Sequence, residues 1–81
     1  MAHYVMLSQA NCKYCTAALG LLESKGHTVA VYDVQEPNNK AFVSAHKQTN
    51  TVPQLFDSEL NFIGGYTELK AYLSEEDSTD G

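Results

Sequence analysis

The chain has few cysteines and no long apolar run. Its only two cysteines are Cys12 and Cys15, which excludes the multi-disulfide framework common in small secreted domains. A bridge between them closes a very short loop and would stabilise the fold by only roughly 2 kcal/mol in the chain-entropy picture. No apolar segment approaches the ~20 residues of a membrane span, and the N-terminus lacks the pattern of a signal peptide. We therefore expect a soluble, cytoplasmic protein with no membrane partner.

Positive charge is also scarce, because only five basic residues stand against ten acidic ones and the net charge is −5. Proteins that bind nucleic acid usually carry a clustered basic surface, so we expect no nucleic-acid partner. The 81 residues include 43% hydrophobic residues, which is enough for one compact core. We expect a single domain over residues 1–74. The acidic segment 75–81 has no large apolar side chain, and this is typical of a frayed tail.

Hydrophobic periodicity predicts an α/β domain with the order β-α-β-α-β-β-α. The predicted elements are a strand at 4–7, a helix at 13–25, a strand at 28–34, a helix capped by Asn38 or Asn39, strands at 52–56 and 60–63, and a last helix after Gly64 and Gly65. A strand–helix–strand unit implies a right-handed crossover between parallel strands. The two later strands form a hairpin, which adds antiparallel strands to the same sheet.

The two cysteines fall at the start of the first predicted helix, directly after the first strand. Free backbone N–H groups and the helix dipole favour an anion at this place, and the thiolate is the nucleophilic form of cysteine. Cys15 lies one helical turn beyond Cys12, on the face with Ala18 and Leu22 that the periodicity predicts to be buried. We interpret Cys12 as an exposed attacking cysteine and Cys15 as a shielded resolving cysteine, both catalytic in a reversible dithiol–disulfide couple.

Two other interpretations of the cysteine pair remain open at this point. A structural zinc site usually needs four ligands, whereas His3, His27 and His46 are scattered without ligand-like spacing. We therefore expect no metal. The pair could also be two inert buried cysteines, although a C-x-x-C beside a strand–helix–strand pattern favours redox chemistry.

Three stretches together resemble the glutaredoxin family. They are NCKYC at 11–15, TVPQLF at 51–56 and GGYTEL at 64–69, and their order and spacing match the family from Tyr4 to about Leu73. The resemblance implies a thioredoxin-like fold, with a four-stranded mixed sheet flanked by three helices. It also implies thiol–disulfide exchange with glutathione as the co-substrate.

The resemblance further implies a glutathione-binding site. The implied residues are Lys13, Tyr14, Lys47, Thr51, Val52, Pro53, Gly65, Tyr66, Thr67 and Glu68. A cis Val52–Pro53 bond would turn the Val52 backbone toward the thiolate, where it could pair with the extended tripeptide as an added strand does. The resemblance places the γ-glutamyl carboxylate at Tyr66 and Thr67, and Thr67 is also expected to cap the last helix. The chain departs from the family at Lys13, where proline is usual.

The favoured function is that of a dithiol glutaredoxin, an enzyme that acts as a monomer. Its expected partners are glutathione and proteins that carry disulfides or glutathionylated cysteines, ribonucleotide reductase among them. One alternative is a glutaredoxin-like hydrogen donor for ribonucleotide reductase that is recharged by thioredoxin reductase. Another alternative is a dimer that binds an iron–sulfur cluster.

Overall fold

A computed structural model of the protein describes residues 2–78. The elements are β1 (His3–Ser8), α1 (Lys13–Ser24), β2 (Thr28–Asp33), a 3₁₀ turn (Pro37–Asn39), α2 (Lys40–His46), β3 (Gln54–Phe56), β4 (Phe62–Gly64) and α3 (Tyr66–Ser78). The predicted element order is therefore confirmed. So are the three helices and the four-stranded mixed sheet.

The sheet has the strand order β2-β1-β3-β4, so β1 and β3 are its central strands. β1 pairs with β2 in parallel and with β3 antiparallel. The antiparallel register places Leu7, near the end of β1, opposite Gln54, the first residue of β3. The loop that leaves β1 and the loop that enters β3 therefore meet at the same edge of the sheet. This edge carries the cysteines.

Both faces of β1 are covered, which explains why its apolar run is continuous instead of alternating. Tyr4 and Met6 point to one face and join a cluster with residues of α1, β3 and α3. Val5 and Leu7 point to the other face and pack with Phe56, with α2 residues alongside. The first cluster comprises Tyr4, Met6, Cys15, Ala18, Leu22, Leu55, Leu69 and Leu73. Cys15 thus belongs to the main core.

The hairpin between β3 and β4 has a longer turn than the sequence patterns predict. Leu60, assigned to a strand by its apolar character, has φ of 66° and lies outside β4. The Asp57 carboxylate accepts hydrogen bonds from the backbone N–H groups of Glu59 and Asn61, both at 2.9 Å. These local bonds satisfy the backbone groups that a strand would pair with its neighbour. As a result β4 begins only at Phe62.

The entry to α2 also differs from the expectation. Asn39 occupies the cap position, but its side chain makes no capping hydrogen bond. Its Nδ2 instead donates to the backbone oxygen of Asp33 at 3.1 Å. The Glu36 carboxylate caps the preceding 3₁₀ turn by accepting from the backbone N–H of Asn38 at 3.3 Å. Asn39 therefore ties the turn to the end of β2.

The acidic tail was predicted over residues 75–81. α3 continues to Ser78, and residues 79–81 lie outside the described part of the chain. Over residues 2–78, no helix is long and apolar enough to cross a membrane.

Candidate active site

Cys12 is the N-cap residue of α1, with an extended backbone at φ −104° and ψ 105°. Asn11 before it has φ of 61°, a left-handed conformation that asparagine tolerates better than most residues. This turn directs the chain from β1 into the helix. The Cys12 sulfur accepts a hydrogen bond from the backbone N–H of Cys15 at 3.2 Å. An unpaired donor of the first helical turn therefore points at the reactive sulfur.

A disulfide joins Cys12 and Cys15, whose Cα atoms lie 5.3 Å apart. Cys15 is only 3% exposed, whereas Cys12 is half-buried and lies at the edge of the core cluster. A thiol that attacks the bridge can therefore reach Cys12 more readily than Cys15. The predicted difference in exposure between the two cysteines is confirmed.

The loop before β3 faces Cys12 from the other side. The Val52–Pro53 bond is cis, as the family resemblance implied. The Cys12 sulfur lies 4.0 Å from the Val52 carbonyl oxygen, although Val52 is 40 positions away in the chain. Backbone groups of Val52 therefore lie within reach of any molecule bonded to Cys12.

Gln54 stabilises this loop, although no sequence motif pointed to it. Its side chain is 3% exposed and is the buried polar group of the described core. Its Nε2 donates to the backbone oxygens of Thr49 at 3.0 Å and Thr51 at 2.8 Å. Its Oε1 accepts from the backbone N–H of Gln48 at 2.9 Å. A glutamine among the apolar residues of a buried strand was the only signal that could have revealed this role.

The start of α3 is capped by Glu68 and not by Thr67. The Glu68 carboxylate accepts from the backbone N–H of Gly65 at 2.9 Å, which is the reciprocal half of a capping box. Thr67 lies exposed inside the first turn of the helix. The expectation that Thr67 caps the helix is therefore wrong. Gly64 has φ of +136°, and a Cβ there would lie 2.5 Å from Glu68 Cβ, so the close approach of Glu68 requires glycine.

Most of the predicted glutathione-binding residues line one open groove of about 230 Å³. They are Tyr14, Thr51, Val52, Pro53, Gly65, Tyr66, Thr67 and Glu68. Lys47 lines a neighbouring cavity of about 250 Å³ that shares Thr51 and Val52 with the groove. Lys13 lines a separate cavity of about 620 Å³ that includes both cysteines. The fold thus brings eight of the ten residues to one groove, which comes close to the Cys12 sulfur at Val52, and places the two lysines in other cavities.

The family model for Glutaredoxin matches residues 4–60 of the chain. The chain belongs to the glutaredoxin family. No curated protein sequence matches this glutaredoxin at a significant level.

Solved structures of other glutaredoxins share its fold. The structure of reduced Escherichia coli glutaredoxin is 28% identical with a TM-score of 0.72, over 90% of this chain and 94% of that one. The dithiolic glutaredoxin 2-C-Grx1 of Trypanosoma brucei brucei is 30% identical with a TM-score of 0.71, over 99% and 84% of the two chains. A structure described under "Metal Binding of Glutaredoxins" is 29% identical with a TM-score of 0.60, over 93% and 82%. With its C-x-x-C disulfide, this glutaredoxin is a thiol–disulfide oxidoreductase.

Proposed function

We propose that this glutaredoxin is a glutathione-dependent enzyme of the cytoplasm that reduces protein disulfides and glutathione mixed disulfides. The observation that carries the proposal is the groove beside Cys12. It combines the Val52 backbone, 4.0 Å from the sulfur, with the first turn of α3 and its exposed Thr67. An extended peptide such as glutathione can pair with backbone groups of this kind. Helix N–H groups favour its carboxylate.

Reduction of a glutathionylated protein needs only Cys12. Its thiolate attacks the glutathione sulfur, the protein thiolate leaves and takes up a proton, and Cys12 becomes bonded to glutathione. A second glutathione thiolate attacks the sulfur of the bound glutathione, so that glutathione disulfide leaves and the Cys12 thiolate returns. The Cys15 N–H, which lies 3.2 Å from the Cys12 sulfur, stabilises that thiolate.

Reduction of a protein disulfide uses both cysteines. Cys12 attacks one sulfur of the target and forms a mixed disulfide, while the other target sulfur leaves as a thiolate. Cys15 then attacks Cys12, the target leaves as a dithiol, and the Cys12–Cys15 disulfide forms. Two glutathione molecules reduce this disulfide and become glutathione disulfide. Ribonucleotide reductase is one protein that we propose as a target.

The test compares Cys12→Ser with Cys15→Ser. We expect Cys12→Ser to abolish all thiol transfer, because no other described sulfur occupies the helix start. Cys15→Ser should keep the reduction of a glutathione mixed disulfide and lose the reduction of a protein disulfide. Equal losses in the two variants on both substrates would refute the assigned roles.

The electron source separates the proposal from its first alternative. We expect turnover with glutathione and glutathione reductase. Turnover only with thioredoxin reductase would support the hydrogen-donor alternative instead.

Colour and near-visible absorbance after anaerobic purification, together with a dimer in gel filtration, would support the iron–sulfur alternative. We propose a monomer that needs no metal.

A further inference from the structure

Two tyrosines lie side by side next to the disulfide. Tyr14 lies in the first turn of α1, between the two cysteines, and Tyr66 is the first residue of α3. Their ring centroids are 5.8 Å apart with an interplanar angle of 35°. Tyr14 is 55% exposed, the highest value among the exposed large hydrophobic side chains of the described residues. Tyr66 is half-buried and packs against the core cluster. An exposed tyrosine beside a second, partly exposed ring is typical of a contact surface.

A lysine ammonium group lies over each of these two rings. The Lys13 Nζ lies 5.6 Å from the centroid of Tyr14, and the Lys70 Nζ lies 5.4 Å from the centroid of Tyr66. Cation–π contacts at exposed sites contribute about 0.5–1 kcal/mol, which favours these positions of the ammonium groups. We call Lys13, Tyr14, Tyr66 and Lys70 the lysine–tyrosine row. Among residues 2–75, whose side chains are described, neither lysine forms an ion pair with a carboxylate.

The lysine–tyrosine row carries positive charge, whereas the protein as a whole is acidic. The net charge is −5 with five basic residues in all, and two of the five stand in this row. Glu68 is the acidic residue among those that line the groove, and one of its oxygens already accepts from the Gly65 N–H at 2.9 Å. Within residues 2–75, each lysine therefore presents N–H donors to a partner without an ion-paired carboxylate. The ammonium groups of Lys13 and Lys70 therefore attract an acidic group that approaches Cys12.

We propose that the lysine–tyrosine row binds an acidic polypeptide segment that flanks the disulfide of the substrate protein. The proposal rests on the proposed function, because it assumes that Cys12 attacks a disulfide in a polypeptide. Aspartate or glutamate side chains of the segment pair with Lys13 and Lys70, and its apolar atoms lie on the two tyrosine rings. Nucleic acid does not fit this surface, since two lysines on a molecule of net charge −5 make no basic footprint.

The test uses Lys70, which lines none of the cavities around the cysteines. Lys70→Glu reverses one charge of the row, and Lys40→Glu makes the same change of net charge at the start of α2. α2 packs on the opposite face of the sheet from α1 and α3. Thermal unfolding of both variants verifies that they are folded at the assay temperature.

Three substrates are compared. Two are peptides of equal length with an internal disulfide, one flanked by aspartate and glutamate and the other by lysine. The third is the glutathione mixed disulfide of a small thiol. We expect Lys70→Glu to lower kcat/KM about fivefold on the acidic peptide and to raise it on the basic peptide. The small substrate should be unaffected, and Lys40→Glu should change none of the three rates. High salt should remove the differences between peptides.

Two outcomes would overturn the proposal. One is an equal effect of Lys70→Glu on all three substrates, which would mean that Lys70 supports catalysis in general. The other is the absence of any difference between Lys70→Glu and Lys40→Glu on the acidic peptide.

A binding measurement separates failure of this proposal from failure of the proposed function. The acidic peptide is prepared with serine in place of both of its cysteines, and its Kd is measured for the unmodified protein and for the two variants. Weaker binding to Lys70→Glu alone would support the row even if the enzyme did not turn over with glutathione. Equal binding to all three proteins would refute it.

Discussion

Replacement of Gln54 tests whether its buried amide holds the loop that faces Cys12. Gln54→Met keeps a side chain of similar length but removes the donors and the acceptor. Gln54→Glu keeps an acceptor for the Gln48 N–H and places a second carboxylate oxygen against the Thr49 and Thr51 carbonyl oxygens. The two variants therefore separate the loss of hydrogen bonds from a direct electrostatic conflict.

The magnitudes follow from the three hydrogen bonds of the side chain, at 2.8 to 3.0 Å. Each hydrogen bond contributes about 1 kcal/mol net to stability, so Gln54→Met should lower the free energy of unfolding by about 2–3 kcal/mol. For a domain of this size the Tm should fall by roughly 10 °C or more. Gln54→Glu should cost more at neutral pH, because a buried carboxylate that faces two carbonyl oxygens lacks donors for its charge.

The pH dependence distinguishes the two variants. Burial should raise the pKa of the new carboxyl at position 54 above the ordinary value of about 4.3. The extra cost of Gln54→Glu relative to Gln54→Met should then be absent below about pH 4. It should grow as the pH rises through the folded-state pKa, since the neutral acid can donate a hydrogen bond and the carboxylate cannot.

The assay is urea unfolding of both variants from below pH 4 to pH 7, with the glutathione-dependent rate measured where each variant is folded. We expect KM for glutathione to rise more than kcat falls, because the Val52 backbone that faces the groove loses its support. Equal stability of Gln54→Glu and the unmodified protein at pH 7 would refute the role of the amide. A stability difference between the variants that does not change with pH would refute the electrostatic part of the reasoning.

Two further predictions concern the β3–β4 hairpin and the start of α3. The hydrogen bond from the Asn61 backbone lowers the pKa of Asp57, so the stability that Asp57 contributes is complete above the unfolded value of about 3.9 and is lost as the pH falls through the lowered value. Asp57→Asn should therefore flatten the acid limb of the stability–pH profile in urea unfolding, and an unchanged limb would contradict this assignment. Gly64→Ala should destabilise the protein by about 1–3 kcal/mol, because φ at position 64 is +136° and the added methyl group would clash with the Glu68 side chain. The matched control Gly20→Ala has open space around its Cβ and should stabilise α1 by up to about 1 kcal/mol; similar effects of the two alanines would contradict the strain argument.

The sequence alone determined the features that depend on neighbours along the chain. Helical spacing predicted that Cys15 would be buried with Ala18 and Leu22, and both the burial and the shared cluster are observed. The helix start predicted that a backbone N–H would meet the Cys12 sulfur, and the Cys15 N–H does so. The element order was readable because the strands and helices have different hydrophobic periods. The cis Val52–Pro53 bond followed only from the family resemblance.

Tertiary structure decided the features that join distant segments. The antiparallel register of β1 and β3 brings Val52 to Cys12, and no local pattern encodes the distance between them. Gln54 is a polar residue in a strand, and its partners in the preceding loop, which only the folded structure brings to it, explain its burial. Tyr14 and Tyr66 meet because α1 and α3 cover the same face of the sheet. Such contacts depend on the packing of whole elements, and packing is set by side chains that are far apart in the sequence.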